Sequence, residues 1–250
     1  MSFQHFIDRM AAQSHLDEGD IQCLMAITCD RRHLAAGSFA TRNGTKPNSC
    51  SVLESGVAVN HKIVGHGGRQ IVGMILAGEM LDFDGLFLEK IDYNVQAISD
   101  CEVAVFPCHD LTQVIFDRPA IGKALFRENA IKAAISREWM ANLGRRDSKT
   151  KVAHLLCEIS TRLQVSGDET DNEFELPINQ DQIADIIGVT PMHVGRVLKE
   201  LEAEKIIARE KRLITLLNLD QLKLMGDFSP EYLQMTWPPD FPPSSIRVRP

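Results

Sequence analysis

The sequence predicts an α+β fold in which a β-roll of the jelly-roll type is followed by one long helix and a winged helix-turn-helix. Three observations predict it. Glycines recur between short β-type runs from about residue 34 to 107, residues 110–143 lose glycine almost entirely, and residues 177–217 combine two short helical segments with a hairpin. The predicted domains are a roll with N-terminal helices over 1–109, a helix over 110–144, a winged helix-turn-helix over 145–226 and a tail over 227–250.

The composition is that of an ordinary globular protein. The chain has 250 residues and a formal net charge of -7, which argues against a wholly basic nucleic-acid coat but leaves room for a local basic surface. There is no apolar run long enough to span a bilayer and no pattern of a secretory signal, so we expect a cytoplasmic protein that does not bind membranes. The 6 cysteines form no C-x-x-C pair and are expected to be small buried residues, so no metal site is predicted.

The N-terminal domain is predicted to begin with short helices and to continue as the roll. Ile21, Leu24 and Met25 lie on one side of a helix at helical spacing. The segment that follows contains the β-type runs SVLESGVAV, RQIVGMIL, NVQAIS and CEVAVF, separated by turn residues. Many short strands with turns between them are typical of a sandwich or a closed roll.

The third segment has the pattern of a long amphipathic helix. Its apolar residues recur at steps of about three and four: Ile121, Leu125, Ile131, Ala134, Ile135, Trp139 and Leu143. A small roll cannot cover so long a stripe, and a second copy of the chain is therefore predicted to pack against Leu125, Ile131, Ile135 and Trp139. The alternative is a helix that lies wholly across its own domain. Gly144 is predicted to end the helix and Asp147 to cap the next one.

The stretch INQDQIADIIGVTPMHVGRVLKELE, residues 178–202, predicts two short helices joined by a tight turn. Asn179 can cap the first helix with Gln182 as its reciprocal partner. Gly188 makes the turn, Thr190 caps the second helix, and Pro191 occupies the first position of that helix, where its missing N–H costs nothing. This is the pattern of a helix-turn-helix.

The second of these helices has an inner apolar face and an outer face suited to a DNA groove. Val194, Val197, Leu198 and Leu201 face inward, and the predicted DNA-contacting residues are Thr190, Met192, His193, Gly195, Arg196 and Lys199. Glycine in a helix costs roughly 1 kcal/mol against alanine, and here we expect it to let the helix approach DNA closely. KIIAREKRLITLL then predicts a hairpin, or wing, that turns near Glu210 and Lys211 and can touch phosphate. The alternative is an ordinary surface helix with a solvated cationic side.

The sequence lacks the common catalytic motifs. It has no phosphate loop, nucleophile elbow or His-Glu metal pair at helical spacing, so no catalytic residue is predicted and the protein is not expected to be an enzyme.

The segment after Asp227 contains six prolines and is predicted to form an extended tail.

At this point the chain resembles the CRP/FNR superfamily of bacterial transcription regulators, over nearly its whole length to about residue 225. The resemblance rests on VLESGVAV and LAGEMLDFDGLF in the roll, LGRRDSKTKVAHLLCEI after the long helix, and QDQIADIIGVTPMHVGRVLKELE. It implies a cyclic-nucleotide-binding-like roll that senses a signal, a dimerisation helix, and a homodimer that binds a near-palindromic site in double-stranded DNA, with RNA polymerase as a further partner. The alternative is a ligand-binding module that acts through a protein partner.

The resemblance also suggests an effector pocket, formed by Gly78, Glu79, Phe83, Tyr93 and Asn94, in which two groups depart from the cyclic AMP branch. Phe83 stands where that branch has a ribose-binding glutamate, and Tyr93-Asn94 stand where it has the Arg-Ser pair that holds the phosphate. Cyclic AMP is therefore not expected to bind. Met192 likewise replaces a base-reading glutamate that is common in the family.

The cysteines and histidines bear on the remaining cofactors of the family. An iron–sulfur cluster needs four thiolates, and no cysteine precedes Cys23, so this cofactor is not expected either. Haem stays open, because His15, His33, His61, His66 and His109 are available. A redox role for Cys23, Cys29, Cys101 or Cys108 also stays open. The effector itself is not identified by the sequence.

Overall fold

The computed structural model describes residues 4–166 and 172–235 of the chain. Most of the acidic loop near residue 170 and the Pro-rich stretch beyond residue 235 lie outside the described residues. Within the described ranges, no helix is both long enough and apolar enough to cross a membrane.

Two short helices precede a roll made of two antiparallel sheets, as predicted. The helices are α1 (Gln4–Gln13) and α2 (Glu18–Met25), and the strands are β1 (Asp30–Leu34), β2 (Phe39–Thr41), β3 (Ser49–Ser55), β4 (Ala58–Val64), β5 (Gly68–Ile75), β6 (Asn94–Ala97) and β7 (Cys101–Pro107). The sheet orders are β1-β7-β3 and β2-β6-β4-β5. Gly56 turns the chain between β3 and β4 at φ +87°, where an added Cβ would lie 2.3 Å from the Asp100 carbonyl oxygen, so only glycine fits.

The helical segment after the roll consists of two helices, α3 (Cys108–Asp117) and α4 (Pro119–Arg145), instead of the single helix that was predicted. The break falls at Arg118 (φ -130°, ψ 84°), because a residue before proline is disfavoured in the helical region. The prediction that Gly144 ends the helix is wrong, since α4 continues to Arg145. The prediction for Asp147 is confirmed: its Oδ1 accepts hydrogen bonds from the backbone N–H groups of Lys149 (2.9 Å) and Thr150 (3.0 Å).

The apolar stripe of α4 packs largely within its own chain. Leu125, Ile131 and Trp139 are buried, and Ile135 is half-buried against the core. The Trp139 Nε1–H also donates to Glu158 at 2.9 Å. The prediction that a second copy covers these residues is therefore wrong for the three buried ones, because neighbouring elements of the same chain already cover them.

The C-terminal domain is a winged helix-turn-helix, as predicted. Its elements are α5 (Ser148–Ser166), β8 (Glu173–Glu175), α6 (Gln180–Ile187), α7 (Pro191–Ala203), β9 (Ile207–Glu210), β10 (Leu213–Leu216) and α8 (Leu219–Met225). The wing strands belong to a sheet of order β8-β10-β9. The apolar faces of α5, α6 and α7 close over one core.

The chain continues to pack beyond the predicted boundary at Asp227. A short 3₁₀ helix, Pro230–Leu233, lies against α4 and α5. Leu233 is buried there, and the Tyr232 hydroxyl donates to Glu158 at 2.7 Å. The predicted start of an extended tail at 227 is therefore wrong. The prediction rested on the number of prolines and did not consider that Tyr232 and Leu233 could pack against the domain.

The helix-turn-helix domain and the roll share a buried junction. Arg162 of α5 donates to Glu79 of the roll (3.1 Å) and to Glu158 (3.3 Å), and Arg9 of α1 also pairs with Glu79 (3.1 Å). Burial opposes ionisation of Glu79, but the guanidinium groups of Arg162 and Arg9 outweigh it and lower the pKa of this carboxyl to about 2. The junction is therefore held by ionised side chains away from water.

Candidate nucleic-acid interface and effector cavity

Local sequence signals build the helix-turn-helix. Asn179 and Gln182 form a reciprocal capping box at the start of α6, and Gly188 ends that helix in the left-handed region at φ +69°. The Thr190 side chain then accepts the His193 N–H at 3.3 Å, and Pro191 is the first residue of α7. All of these local predictions are confirmed, and together they fix the angle at which α7 leaves the turn.

Helix α7 has the two faces that its sequence predicted. Val194, Val197, Leu198 and Leu201 are buried in the domain core. On the outer face, Met192 is 85% exposed, the Arg196 side chain is 65% exposed, and Thr190 and Lys199 are also exposed. The structure therefore brings four of the six predicted DNA-contacting residues together at the surface, and His193 and Gly195 are half-buried beside them.

The contacts of Arg196 lie within its own helix. Its guanidinium is 2.8 Å from His193 Nδ1, and its Nε is 3.8 Å from the Glu200 carboxylate. Both contacts lie at the surface, where ion pairs contribute about 0–1 kcal/mol. The guanidinium can therefore leave these partners for a base edge or a phosphate at little cost, and His193 serves to orient it.

Gly195 faces a residue that the sequence analysis did not single out. A Cβ built at Gly195 would lie 3.0 Å from Gln180 Oε1, which comes from the first turn of α6. The space in front of the glycine is thus occupied by a polar side chain, and the glycine permits this close approach of α6 and α7. The position of Gln180 in the first turn of α6 could have been predicted from the sequence, because Gln180 directly follows the capping residue Asn179.

The wing turns at Lys211, which adopts φ +56°, as the hairpin pattern predicted. Two of the cations near its tip already face carboxylates: Arg209 pairs with Glu202 at 2.7 Å, and Arg212 lies 3.9 Å from Glu175. Lys211 has no ion pair to any residue that the structure describes. It is therefore the wing cation that is free to meet a phosphate.

A cavity of about 410 Å³ lies between the roll and α4. Its wall is formed by strands β4 and β5, by the 3₁₀ helix Phe83–Leu86, and by α4 from Asn129 to Leu143. Phe83 and Tyr93, both predicted for an effector pocket, line it. The other three predicted pocket residues are not among its lining. Gly78 packs against α1, Glu79 belongs to the buried junction, and the Asn94 side chain accepts the Asn43 N–H, so the cavity brings together two of the five predicted residues.

Two family descriptions match the chain. A Crp-like helix-turn-helix domain matches residues 150–225, and a cyclic nucleotide-binding domain matches residues 31–118. A probable transcriptional activator of Rhizobium leguminosarum bv. viciae is 32% identical over 197 residues, which cover 78% of this chain and 80% of the relative. The chain belongs to the CRP/FNR family of transcription regulators.

Other members of the CRP/FNR family extend this comparison. The transcriptional activator protein FnrL of Cereibacter sphaeroides is 27% identical over 72% of this chain and 73% of its own length. Among solved structures, FixK2 from Bradyrhizobium japonicum superposes with a TM-score of 0.73 at 21% identity, covering 80% of this chain and 98% of that one. At this identity the superposition shows the fold alone, and it supports the α+β architecture described above.

The cavity of this family member does not fit a cyclic nucleotide. The Tyr93 hydroxyl donates to Asp84 at 2.8 Å, so a carboxylate stands beside the position where a phosphate would need a cation. Lys132 is the only lysine or arginine among the lining residues that the structure describes, and its ammonium donates to the Met80 carbonyl at 2.7 Å and lies 3.8 Å from the Glu128 carboxylate. A phosphate here would meet an acid, and a single cation that already faces a carboxylate.

Over residues 4–166 and 172–235, no three His, Cys, Asp or Glu side chains are grouped in a way that could hold a metal ion. Cys50 and Cys108 approach each other to 3.0 Å between sulfurs, but burial raises the pKa of both thiols. His61, one of the candidate haem ligands, is buried against Phe39.

Proposed function

We propose that this CRP/FNR-family protein acts in the cytoplasm as a homodimer, places the α7 helix of each copy in successive major grooves of a near-palindromic site, and alters transcription through contact with RNA polymerase. The observation that carries the proposal is the exposed outer face of α7, held at a fixed angle by caps at both helices of the motif. A role as a ligand-binding module that acts only through a protein partner is not favoured, because the relatives are transcriptional activators. Members of this family are regulators, not enzymes.

The residues of the outer face have separate roles in this proposal. Arg196 reads a guanine edge, since a guanidinium can donate to O6 and N7 together. Lys199, one turn further along, and Lys211 of the wing meet phosphates, as does the exposed Thr190. Met192 offers only apolar contact, for example to a thymine methyl group. The preferred operator should therefore differ from that of family members with glutamate at this position.

The test of the DNA-binding face is an anisotropy titration on the tightest duplex selected from a random-sequence pool. Arg196→Ala should weaken specific binding by about 1–3 kcal/mol per half-site, and thus by roughly 2–6 kcal/mol for a dimer. Lys199→Ala should weaken all sequences alike and flatten the salt dependence. Lys62→Ala, an exposed lysine of the roll, is the matched control and should change neither quantity. Wild-type binding by Arg196→Ala would refute this role of α7.

The dimer interface is proposed on the face of α4 that remains exposed, since the stripe first predicted is buried. Phe126, Ala133 and Met140 recur at steps of seven along this face, and Phe126 (57%) and Met140 (69%) are exposed large apolar residues. A repeat of seven is the spacing with which two helices pack along a seam. Phe87 of the roll stacks on Phe126 at 6.1 Å between ring centroids, so the apolar surface continues onto the roll.

Sedimentation of Met140→Glu tests this interface. The variant should be monomeric. It should lose most of its operator affinity, because a monomer can contact only one of the two half-sites. Met25→Glu changes another exposed methionine, in α2 (53%), and should remain dimeric. A dimeric Met140→Glu protein would show that another surface joins the copies.

The signal is proposed to act at the cavity between the roll and α4, because this cavity opens beside the proposed dimer face. Ala133, Ser136 and Met140 contribute to its wall, so a bound molecule would touch the helix on which the two copies meet. The effector is proposed to be something other than a cyclic nucleotide, since Asp84 and Phe83 cannot hold a ribose phosphate. A bound effector would shift the equilibrium between two arrangements of the DNA-binding domains. The shift can be no larger than the difference between the effector's affinities for the two arrangements.

A further inference from the structure

A second cavity, of about 430 Å³, opens to solvent at the side of the roll near β1 and β2, each of which is an edge strand of its sheet. We call it the edge cavity. It is separate from the cavity beside α4 and shares no lining residue with it. Its wall carries three cationic side chains, Arg32, Arg42 and Lys46, and several hydroxyl groups.

Strand alternation directs Arg32 into this cavity. Successive side chains of a strand point to opposite faces of its sheet. Arg31 pairs with Glu54 (3.2 Å) and His33 with Glu102 (3.0 Å), whereas Arg32, between them, lines the cavity opposite Val103 of β7. Arg32 is solvent-exposed, as are Arg42 and Lys46, so the three cations lie at the mouth of the cavity.

The three cations are not neutralised by the protein. Within the part of the chain that the structure describes, Arg32, Arg42 and Lys46 form no ion pair, although the protein as a whole has a net charge of -7. Arg42 instead lies over the Phe39 ring, 4.0 Å from its centroid, which holds its guanidinium at the cavity. Cations that converge without carboxylate partners favour an anion, and guanidinium groups match the geometry of a carboxylate.

The inner end of the edge cavity is an acceptor. Asp82 is only 3% exposed, and its oxygens accept hydrogen bonds from the Ser51 N–H (2.7 Å) and the Thr41 hydroxyl (3.2 Å). Burial raises the pKa of Asp82 to about 6, so the carboxylate is mainly ionised at neutral pH. A simple anion would be repelled at this end, whereas a hydroxyl or amino group could donate to it.

We propose that the edge cavity binds a small organic acid that also carries a hydroxyl or amino group. Its carboxylate would lie among Arg32, Arg42 and Lys46, and its donor group would face Asp82. The competing explanation is that Arg32 and Arg42 are charges that prevent the edge strands from pairing with other chains. That explanation predicts self-association when either charge is removed, and no ligand.

The experiment is titration calorimetry of the full chain with L-malate, L-aspartate and succinate. Malate or aspartate should bind saturably, and succinate, which has the same carboxylates without a donor, should bind at least tenfold more weakly. Arg32→Gln and Arg42→Gln should each weaken binding at least tenfold while circular dichroism stays that of the wild type. Arg31→Gln is the matched control on the same strand, and it should bind like the wild type because Arg31 points outward.

Three results would overturn the proposal. The first is that none of the three acids binds. The second is that Arg31→Gln loses as much affinity as Arg32→Gln, which would mean non-specific attraction to a basic surface. The third is that Arg32→Gln or Arg42→Gln associates in sedimentation while binding is unchanged, which would identify the arginines as edge protection. None of these results depends on DNA binding, so the edge cavity and the proposed function can fail separately.

Discussion

Two arginines of the C-terminal domain show opposite uses of the same charge. Arg196 on α7 has a 65% exposed side chain with only weak surface partners, whereas Arg162 on α5 is 7% exposed and donates to two buried carboxylates and to the Met74 carbonyl. Arg162 cannot move without leaving Glu158 without its cation partner and Glu79 with Arg9 alone. Arg196 can change partners freely. Exposure and pairing, more than residue type, therefore separate the surface that binds from the junction that holds the domains together.

The junction around Arg162 joins four parts of the molecule. Glu79 belongs to the roll, Arg9 to α1, Glu158 to α5, and Glu158 also accepts the indole N–H of Trp139 from α4. A buried ion pair contributes little net stability relative to apolar residues, but removal of one partner leaves an uncompensated charge. The network should therefore act mainly by fixing how the DNA-binding domain sits on the roll.

The largest effect is expected from Glu79→Gln, which leaves the guanidinium groups of Arg162 and Arg9 without their shared carboxylate. Its free energy of unfolding should fall by about 3–5 kcal/mol at neutral pH, as measured by urea denaturation. Asp92→Asn breaks the exposed Lys62–Asp92 pair (2.6 Å) and should cost less than about 1 kcal/mol. Equal losses of unfolding free energy in the two variants would mean that the buried junction contributes no more to stability than an exposed ion pair.

The same variant has a pH signature. The folded protein holds the pKa of Glu79 at about 2, below its ordinary value of 4.5, so the stabilisation is fully present above pH 4.5 and is lost as the pH falls toward 2. The difference between wild type and Glu79→Gln should therefore narrow over this range. A constant difference between pH 7 and pH 3 would show that packing, and not charge, explains the loss.

A smaller effect is expected from Tyr232→Phe, which removes the hydrogen bond from the tyrosine hydroxyl to the Glu158 carboxylate and the contact of that hydroxyl with His154 Nε2. A hydrogen bond to a charged group contributes about 1.5–3 kcal/mol, and the unfolding free energy should fall by that amount. Tyr93→Phe is the matched control, because its partner Asp84 is only partly buried, and it should cost less. An unchanged Tyr232→Phe protein would mean that the segment after Asp227 does not support the junction.

The contrast between surface and junction also separates what the sequence could predict from what it could not. The caps of α6 and α7 depend on residues three or four apart, so Asn179, Gly188 and Thr190 could be assigned without a structure. The partner of Trp139 lies 19 residues away, and one of the two carboxylate partners of Arg162, Glu79, lies in the other domain. Periodicity identified the apolar stripe of α4 but could not tell which body covers it, since a second copy and the same chain require the same pattern.

The smallest effect, and the one that tests the surface most directly, concerns Gly195. Gly195→Ala gains helix propensity worth roughly 1 kcal/mol, and its Cβ requires only the flexible end of Gln180 to move from 3.0 Å, so the fold should be no less stable. Gly195→Leu should destabilise the domain and should also block DNA binding. Adding Gln180→Ala separates these two effects, because it removes the side chain that the leucine would meet.

If Gly195 serves the approach of α6 to α7, the double variant Gln180→Ala/Gly195→Leu should recover both its unfolding free energy and its operator affinity. If Gly195 serves the approach to DNA, stability should return while binding stays weak, because the leucine still projects from the reading face. We expect the second result, since Gly195 lies beside Arg196 on the outer face of α7 and is half-buried only through Gln180. Thermal melts and anisotropy titrations of the wild type, Gly195→Leu, Gln180→Ala and the double variant distinguish these two explanations. Wild-type affinity of the single Gly195→Leu variant would refute both.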